Sequence, residues 1–207
     1  MKEGAFYNYA FVYMLVRITM NVTMTAQPFY LDQVCGWHPT DDNPTPVPLA
    51  VVPLCSYIMC MIFSIFLQRP LTRCFASRTF PMLISIYIIA ITSIPLIFMT
   101  PGNRTWVFPL SAFQGIGIAI MLNTATSLIS DVIGQDSSGG AFVYGCYSLL
   151  DRFANGILLY YIIANYSTDP DALKYVMGII PMVCSILSYL LTYFGQKFFG
   201  HKLAKIT

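Results

Sequence analysis

Long apolar runs separated by short polar connections set the pattern of this chain. Six runs stand out, at 5–31, 48–68, 80–99, 106–133, 139–165 and 175–196. Each approaches or exceeds the roughly 20 residues that a helix needs to cross a bilayer. Backbone groups in lipid must find partners within their own segment, so runs of this length predict helices. A membrane barrel would need strands of about 10 residues alternating in polarity, and nothing here alternates that way. The expected fold is an all-α transmembrane bundle of six helices, one domain spanning residues 1–207.

Composition agrees with that pattern. Only 10% of the 207 residues are charged and 57% are hydrophobic, giving a mean hydropathy of +0.65. A soluble domain usually carries about 25% charged residues, so the chain reads as a multi-pass integral membrane protein in contact with the lipid bilayer. The net charge of +2 is too small to suggest nucleic acid, and the basic residues lie mostly between the runs rather than in one patch. The six cysteines form no CxxC pair and have no metal-ligand spacing. The N-terminal residues lack the short apolar core and small-residue cleavage site of a signal peptide.

The connections fix an expected orientation. Lys2, Arg69, Arg73, Arg78, Lys197, Lys202 and Lys205 fall on one side, against Arg104 and Lys174 on the other. Cytoplasmic loops carry the excess of Lys and Arg, so both termini are expected in the cytoplasm. Asp32, Asp41, Asp42, Asp169 and Asp171 fall on the opposite side, as do the sequons at Asn103 and Asn165, both close to the membrane. The loop 32–47 is polar and proline-rich. His38 with Asp41 and Asp42 there reads as a solvated loop rather than a metal site.

The runs are unequal in polarity. The third and sixth carry no charge in their interiors, whereas the first holds Arg17 near its midpoint, followed at helical spacing by Asn21 and Thr25. The fourth holds Gln114, Asn123, Ser127 and Asp131, and the fifth holds Tyr144, Ser148, Asp151, Arg152 and Asn155. Residues three and four apart share a helix face, so the residues of the fifth run form one polar stripe. A charge at mid-bilayer costs roughly 2.5–3.5 kcal/mol on insertion scales and is tolerated where it faces a bundle interior or a wet cavity. Adjacent residues point about 100° apart, so Asp151 and Arg152 answer to different partners. A cavity lined by the first, fourth and fifth runs, with the third and sixth outside, is the simplest arrangement. There is no HExxH, no Gly-rich phosphate loop and no GxSxG elbow, so the sequence points to no enzyme and no cofactor.

The segments SLISDVIG (127–134) and SGGAFVYGCYSLLDRFANG (138–156) resemble the matching spans of the major facilitator superfamily. They are also similar, more distantly, to its glycoside–pentoside–hexuronide:cation symporters. QRPLTRC (68–74) resembles the short basic cytoplasmic loop between spans eight and nine. The resemblance implies the C-terminal half, spans seven to twelve, of a twelve-span transporter built from two six-helix halves. It would work with an N-terminal six-span half or a second chain. It further implies alternating-access, symporter-like transport of a small polar solute, cysteine or another amino acid, or a sugar with a coupling cation. The membrane implied is that of a lysosome or related organelle, or the plasma membrane.

The resemblance also places the first and fifth runs side by side. Arg17 and Asp151 then form either a permanent interhelical bridge or an ion pair that breaks and reforms as the cavity changes its open side. Arg152 either holds a substrate carboxylate by bidentate contacts or bonds to Asp131, helix ends or solvent. Asn21, Asn123, Ser127, Tyr144, Ser148 and Asn155 are candidate cavity liners or interhelical hydrogen bonds. Asp131, Arg69 and Arg73 are candidate gating or coupling groups at the cytoplasmic end. The alternative function is a transport-inactive six-span protein that binds and regulates a full-length relative.

Overall fold

The computed structural model of the chain describes residues 2–38, 46–74, 79–133 and 137–203, with the side chains of all of these except 2, 3, 5, 67–74, 131–133, 137–139, 141 and 199–203. Among these residues six α-helices follow one another: α1 (Lys2–Gln33), α2 (Val47–Cys74), α3 (Thr79–Ile97), α4 (Val107–Ile133), α5 (Ser137–Tyr166) and α6 (Pro170–Leu203). A 3-10 helix, Pro101–Trp106, leads into α4. No strand occurs among the described residues.

Local chemistry explains several boundaries that hydropathy alone does not. α6 begins five residues before its apolar run because Asp169 Oδ1 accepts from the backbone N–H groups of Asp171 and Ala172, at 3.1 and 3.4 Å. That is an N-cap, with Pro170 at the first helical position where its missing N–H does no harm. α1 ends where Gly36 takes φ 71°, a left-handed conformation that only glycine adopts without strain, and Trp37 N–H donates back to Leu31 O. α2 runs on to Cys74, so the backbone of 68–74, expected as a loop, is helical.

Among the described residues, four helical segments are long and apolar enough to cross a membrane on their own: α2, α3, α4 with its 3-10 lead-in, and α6. α1 and α5 are as long, at 32 and 30 residues, but contain the in-run charges and amides. Their polarity has to be met by protein rather than lipid.

Four helices form a ring in which α1 packs on α6, α6 on α3, α3 on α4 and α4 on α1. Hydrogen bonds fix which ends meet. Asn8 Nδ2 donates to Leu191 O at 3.0 Å, and Thr79 Oγ1 to Gln196 Oε1 at 2.9 Å. These bring the start of α1, the end of α6 and the start of α3 to one side, the termini side. On the opposite side Tyr30 Oη donates across the ring to Leu96 O at 2.7 Å. Among the described residues the ring holds two apolar clusters, and a third, Ala10 with Ile129 and Tyr147, joins α1, α4 and α5. One, near the termini side, is built from Tyr9, Val12, Val16, Met82, Ile89 and Met121. The other, near the opposite side, includes Tyr30, Leu96, Val107 and Met177.

The two remaining helices flank this ring, α2 chiefly against α4 and α5 chiefly against α1. The sequence reading put the third and sixth runs outside; the fold puts α3 and α6 in the ring and leaves α2 the least buried of the apolar spans. Close approach explains the choice. Gly115 of α4 lies so tight on the Ser56 backbone that a Cβ there would meet the Ser56 carbonyl, and Gly178 of α6 does the same against Ile97 of α3. Small residues let helix backbones approach where no hydrophobic force distinguishes a neighbour from lipid.

Candidate functional site

The charged centre is the seam between α1 and α5. Arg17 and Asp151 sit near the midpoints of their helices, and Arg17 Nε donates to Asp151 Oδ2 at 3.1 Å. The other carboxylate oxygen, Oδ1, accepts from Asn155 Nδ2 at 2.5 Å; Asn155 Nδ2 also reaches Asp151 O at 2.8 Å. Spacing of four residues on α5 puts this amide directly over the carboxylate. Asp151 therefore has both oxygens engaged, and its side chain is 6% exposed. Arg17 differs. Its side chain is 30% exposed, and among the described residues only Nη1 besides Nε is occupied, by the weak acceptor Met20 Sδ at 3.8 Å. The outer fork of the guanidinium is thus available to another acceptor, held in place from behind by a buried anion.

The same seam is fastened nearer the termini side. Tyr147 Oη donates to Phe6 O at 2.7 Å, and the Tyr147 ring lies 4.9 Å from Phe6 and 6.3 Å from Tyr13, centroid to centroid. Tyr147 is fully buried and shares the Asp151 face of α5 one turn away. Sequence reading passed over it because an aromatic in an apolar run looks like any other packing residue; its hydroxyl partner, a backbone carbonyl on α1, leaves no mark in the sequence.

α4 and α5 both pack on α1 and meet each other narrowly near the termini side, where Ile129 and Tyr147 share an apolar cluster with Ala10. Ser130 Oγ and Tyr144 Oη, 3.3 Å apart, join the two helices. Thr126 and Ser130 of α4 and Tyr144 and Arg152 of α5 are exposed. Arg152 points away from Asp151, as neighbours on a helix must, and makes no hydrogen bond or ion pair among the described residues.

The other expected residues separate. Asn123 Nδ2 donates to Ser64 Oγ of α2 at 3.2 Å, so it faces the opposite flank of α4 from the ion pair. Asn21, Ser127 and Ser148 are half-buried and make no side-chain hydrogen bond among the described residues. Arg69, Arg73 and Asp131 belong to helices α2 and α4, but their side chains lie outside the described residues, as do Asp41 and Asp42 entirely. His38 is exposed and its Nδ1 lies 2.8 Å from Asp32 Oδ1. No group of His, Cys, Asp or Glu among the described residues could hold a metal ion.

Two further features lie away from the seam. A hollow of about 220 Å³ on the outer face of α5 is lined by Phe142, Gly145, Cys146 and Leu149 and is apolar. Beyond the end of α1, Arg104 stacks over Trp37 at 5.5 Å, Trp37 meets Phe108 edge-on, and Cys35 is fully buried beneath. Burial pushes the Cys35 thiol up to about 11, against a smaller lowering by the Arg104 charge.

No protein-family model matches the chain, and no solved structure matches it. Curated proteins do. The chain is 29% identical over 158 residues to human major facilitator superfamily domain-containing protein 12, and 28% and 27% identical to the mouse and horse proteins of that name. Each match covers 76% of this chain and 31% of the relative, so the chain spans about a third of the length of the proteins it matches. With an all-α fold of membrane-spanning helices already in view, these matches make the chain an integral membrane protein similar, over those 158 residues, to a major facilitator superfamily protein.

Proposed function

We propose that the chain forms a six-span unit equivalent to the C-terminal half of a major facilitator transporter, and that it moves a small polar solute by alternating access together with a second six-span unit. The observation that carries this reading is the asymmetry of the mid-helix ion pair: Asp151 is buried and saturated, while Arg17 is half-open with donors to spare. A charge kept at that depth and left accessible is suited to meeting a solute's anionic group; a purely structural bridge would be better closed on both sides. Arg17 then takes the carboxylate-holding role that sequence reading gave as one of two for Arg152, with Arg152 and Tyr144 elsewhere on α5.

An amino acid, cysteine among them, offers a carboxylate for that fork, whereas a sugar offers only neutral hydroxyls. Asn21, Ser127 and Ser148 would contribute polar lining, and Asp131, Arg69 and Arg73 a gate at the cytoplasmic end. A lysosomal or related organelle membrane, symport and cytoplasmic termini complete the proposal. The test is uptake of labelled cysteine into vesicles containing this chain with a second six-span unit. Arg17→Gln should abolish uptake while Arg152→Gln reduces it less; equal uptake by wild type and Arg17→Gln would remove the reading.

A second reading, a transport-inactive unit bound to a full-length relative, draws support from the broad apolar faces of α2 and α5, where Met61, Ile65, Phe153 and Ile157 are exposed. No uptake in any combination, with stable co-purification of such a relative, favours it.

A further inference from the structure

The ring interior contains a polar layer that belongs to neither apolar cluster and has no part in the α1–α5 seam. On α1, Thr23 and Gln27 lie seven and eleven residues after Val16, on the same inward face. On α3, Ser93 follows Ile89 by four; on α4, Gln114 precedes Met121 by seven. Each polar side chain is thus the continuation of a residue in the apolar cluster near the termini side.

Depth agrees as well. Tyr30 Oη bonds Leu96 O across the ring, and Gln27 and Ser93 each lie three residues, about 4.5 Å of helix rise, below those contacts. Gly117 of α4 abuts Ile88 and Ile89 of α3. From there Gln114 and Ser93 climb about 4.5 and 6 Å toward the opposite side. Gln27, Ser93 and Gln114 therefore occupy one level, with Thr23 a turn below and the Tyr30–Leu96 contact above.

Thr23, Gln27, Ser93 and Gln114 are each at most 1% exposed. Most hydroxyls in this bundle satisfy themselves on their own helix: Thr19 on Leu15 O, Thr92 on Ile88 O, Thr124 on Ile120 O, Ser188 on Cys184 O. Thr23 Oγ1 and Ser93 Oγ do not, and Gln27 Oε1 and Gln114 Nε2 likewise lack a protein partner. Four such orphans within one helical turn on three helices are too expensive to leave dry, at roughly 1–3 kcal/mol each.

We infer that this layer is an internal water site, sealed from both membrane faces. A water molecule accepts from Gln114 Nε2 and donates to Gln27 Oε1, which satisfies both amides at once; its second O–H or a further molecule serves Ser93 Oγ and Thr23 Oγ1. A cation fits poorly. The layer presents an N–H donor, and the buried carboxylate of Asp151 belongs to α5, outside the ring. This assignment stands whether or not the chain transports anything.

The experiment is radiolytic hydroxyl labelling of the purified full chain in detergent, with millisecond exposure after transfer to H₂¹⁸O. Met24 and Tyr30 flank Gln27 on α1, are buried, and react readily with radicals formed on a neighbouring water. Both should be oxidised, with ¹⁸O entering them at least tenfold more slowly than it enters exposed Tyr7 or Tyr57. The Gln27→Leu/Gln114→Leu variant should lose the Met24 and Tyr30 signal and keep that of Tyr7. Absence of oxidation at Met24 and Tyr30 in the wild-type chain overturns the site, as does ¹⁸O exchange as fast as at Tyr7. A rise in Tm on replacing choline by sodium that disappears in the double-leucine variant would also overturn it, by showing a cation site.

Discussion

The two flanking helices, α2 and α5, are attached to the same ring by different means. α2 is held by closeness and neutral hydrogen bonds: Ser56 Oγ donates to Ser111 O at 2.9 Å, Asn123 Nδ2 donates to Ser64 Oγ at 3.2 Å, and Gly115 lets the two backbones touch. α5 is held by charge: the Arg17–Asp151–Asn155 group at mid-depth, with the Tyr147 hydroxyl on Phe6 O beside it. Backbone packing has no second state to move to. An ion pair with one accessible member has alternatives, since a ligand or water can replace one partner. On the proposed alternating-access reading, the contrast puts the moving part at α5 rather than α2.

The largest effect that would break the contrast comes from Asp151→Ala. It removes the charged partner of a half-open Arg17 and should destabilise the chain by about 1.5–3 kcal/mol, seen as a fall in Tm in detergent. Exchanging the pair as Arg17→Asp with Asp151→Arg should recover much of that Tm without restoring solute uptake. An unchanged Tm in Asp151→Ala would mean that the seam is not held by charge at all.

Gly115→Val comes next, with a loss of about 1–3 kcal/mol from overpacking against Ser56. No partner substitution that keeps the Ser56 backbone in place should repair it; recovery by Ser56→Ala would show that the side chain, not the backbone, sets the spacing. Tyr147→Phe keeps the ring contacts and removes one hydroxyl, so its cost should be near 0.6 kcal/mol. A small Tm change combined with faster hydrogen exchange in the first turns of α1 is the expected pattern. A loss as large as that of Asp151→Ala would make the tyrosine, not the ion pair, the main fastening.

The smallest expected effect lies beyond the end of α1, and it is one of rate. The Cys35 thiol is raised by burial to about 11, so at pH 8 maleimide should label it far more slowly than in the denatured chain. Because its folded value is raised, the stability it contributes is whole below the unfolded thiol's value near 8.5 and is lost as pH climbs from there toward 11. Arg104→Ala uncovers Trp37 and should speed labelling; unchanged labelling would mean that the cation is not part of the cover.

How far the sequence reaches depends on which physical rule governs each residue. Arg17 and Asp151 were visible because a charge inside an apolar run violates the rule that shapes the rest of the chain. The opposed directions of Asp151 and Arg152 follow from helix geometry alone. Which of the two cations is braced by a buried anion does not. Arg152 is exposed and unpaired among the described residues, while Arg17 is braced by a buried carboxylate, and that difference arises from the placement of α1. Gln27 and Gln114 were readable as polar positions, but their common level requires the α1–α3 and α3–α4 contacts.

Hydropathy and length alone determined that this chain is an all-α membrane protein, because lipid leaves the backbone no other way to satisfy itself. Inside a bilayer, however, an apolar face is as content against lipid as against protein, so hydropathy is silent on neighbours. Tertiary structure decided that α3 and α6 complete the ring, that α2 and α5 flank it, and that Tyr147 fastens the charged seam. Those choices rest on backbone closeness at glycine and on hydrogen bonds to carbonyl groups, neither of which has a sequence period to betray it.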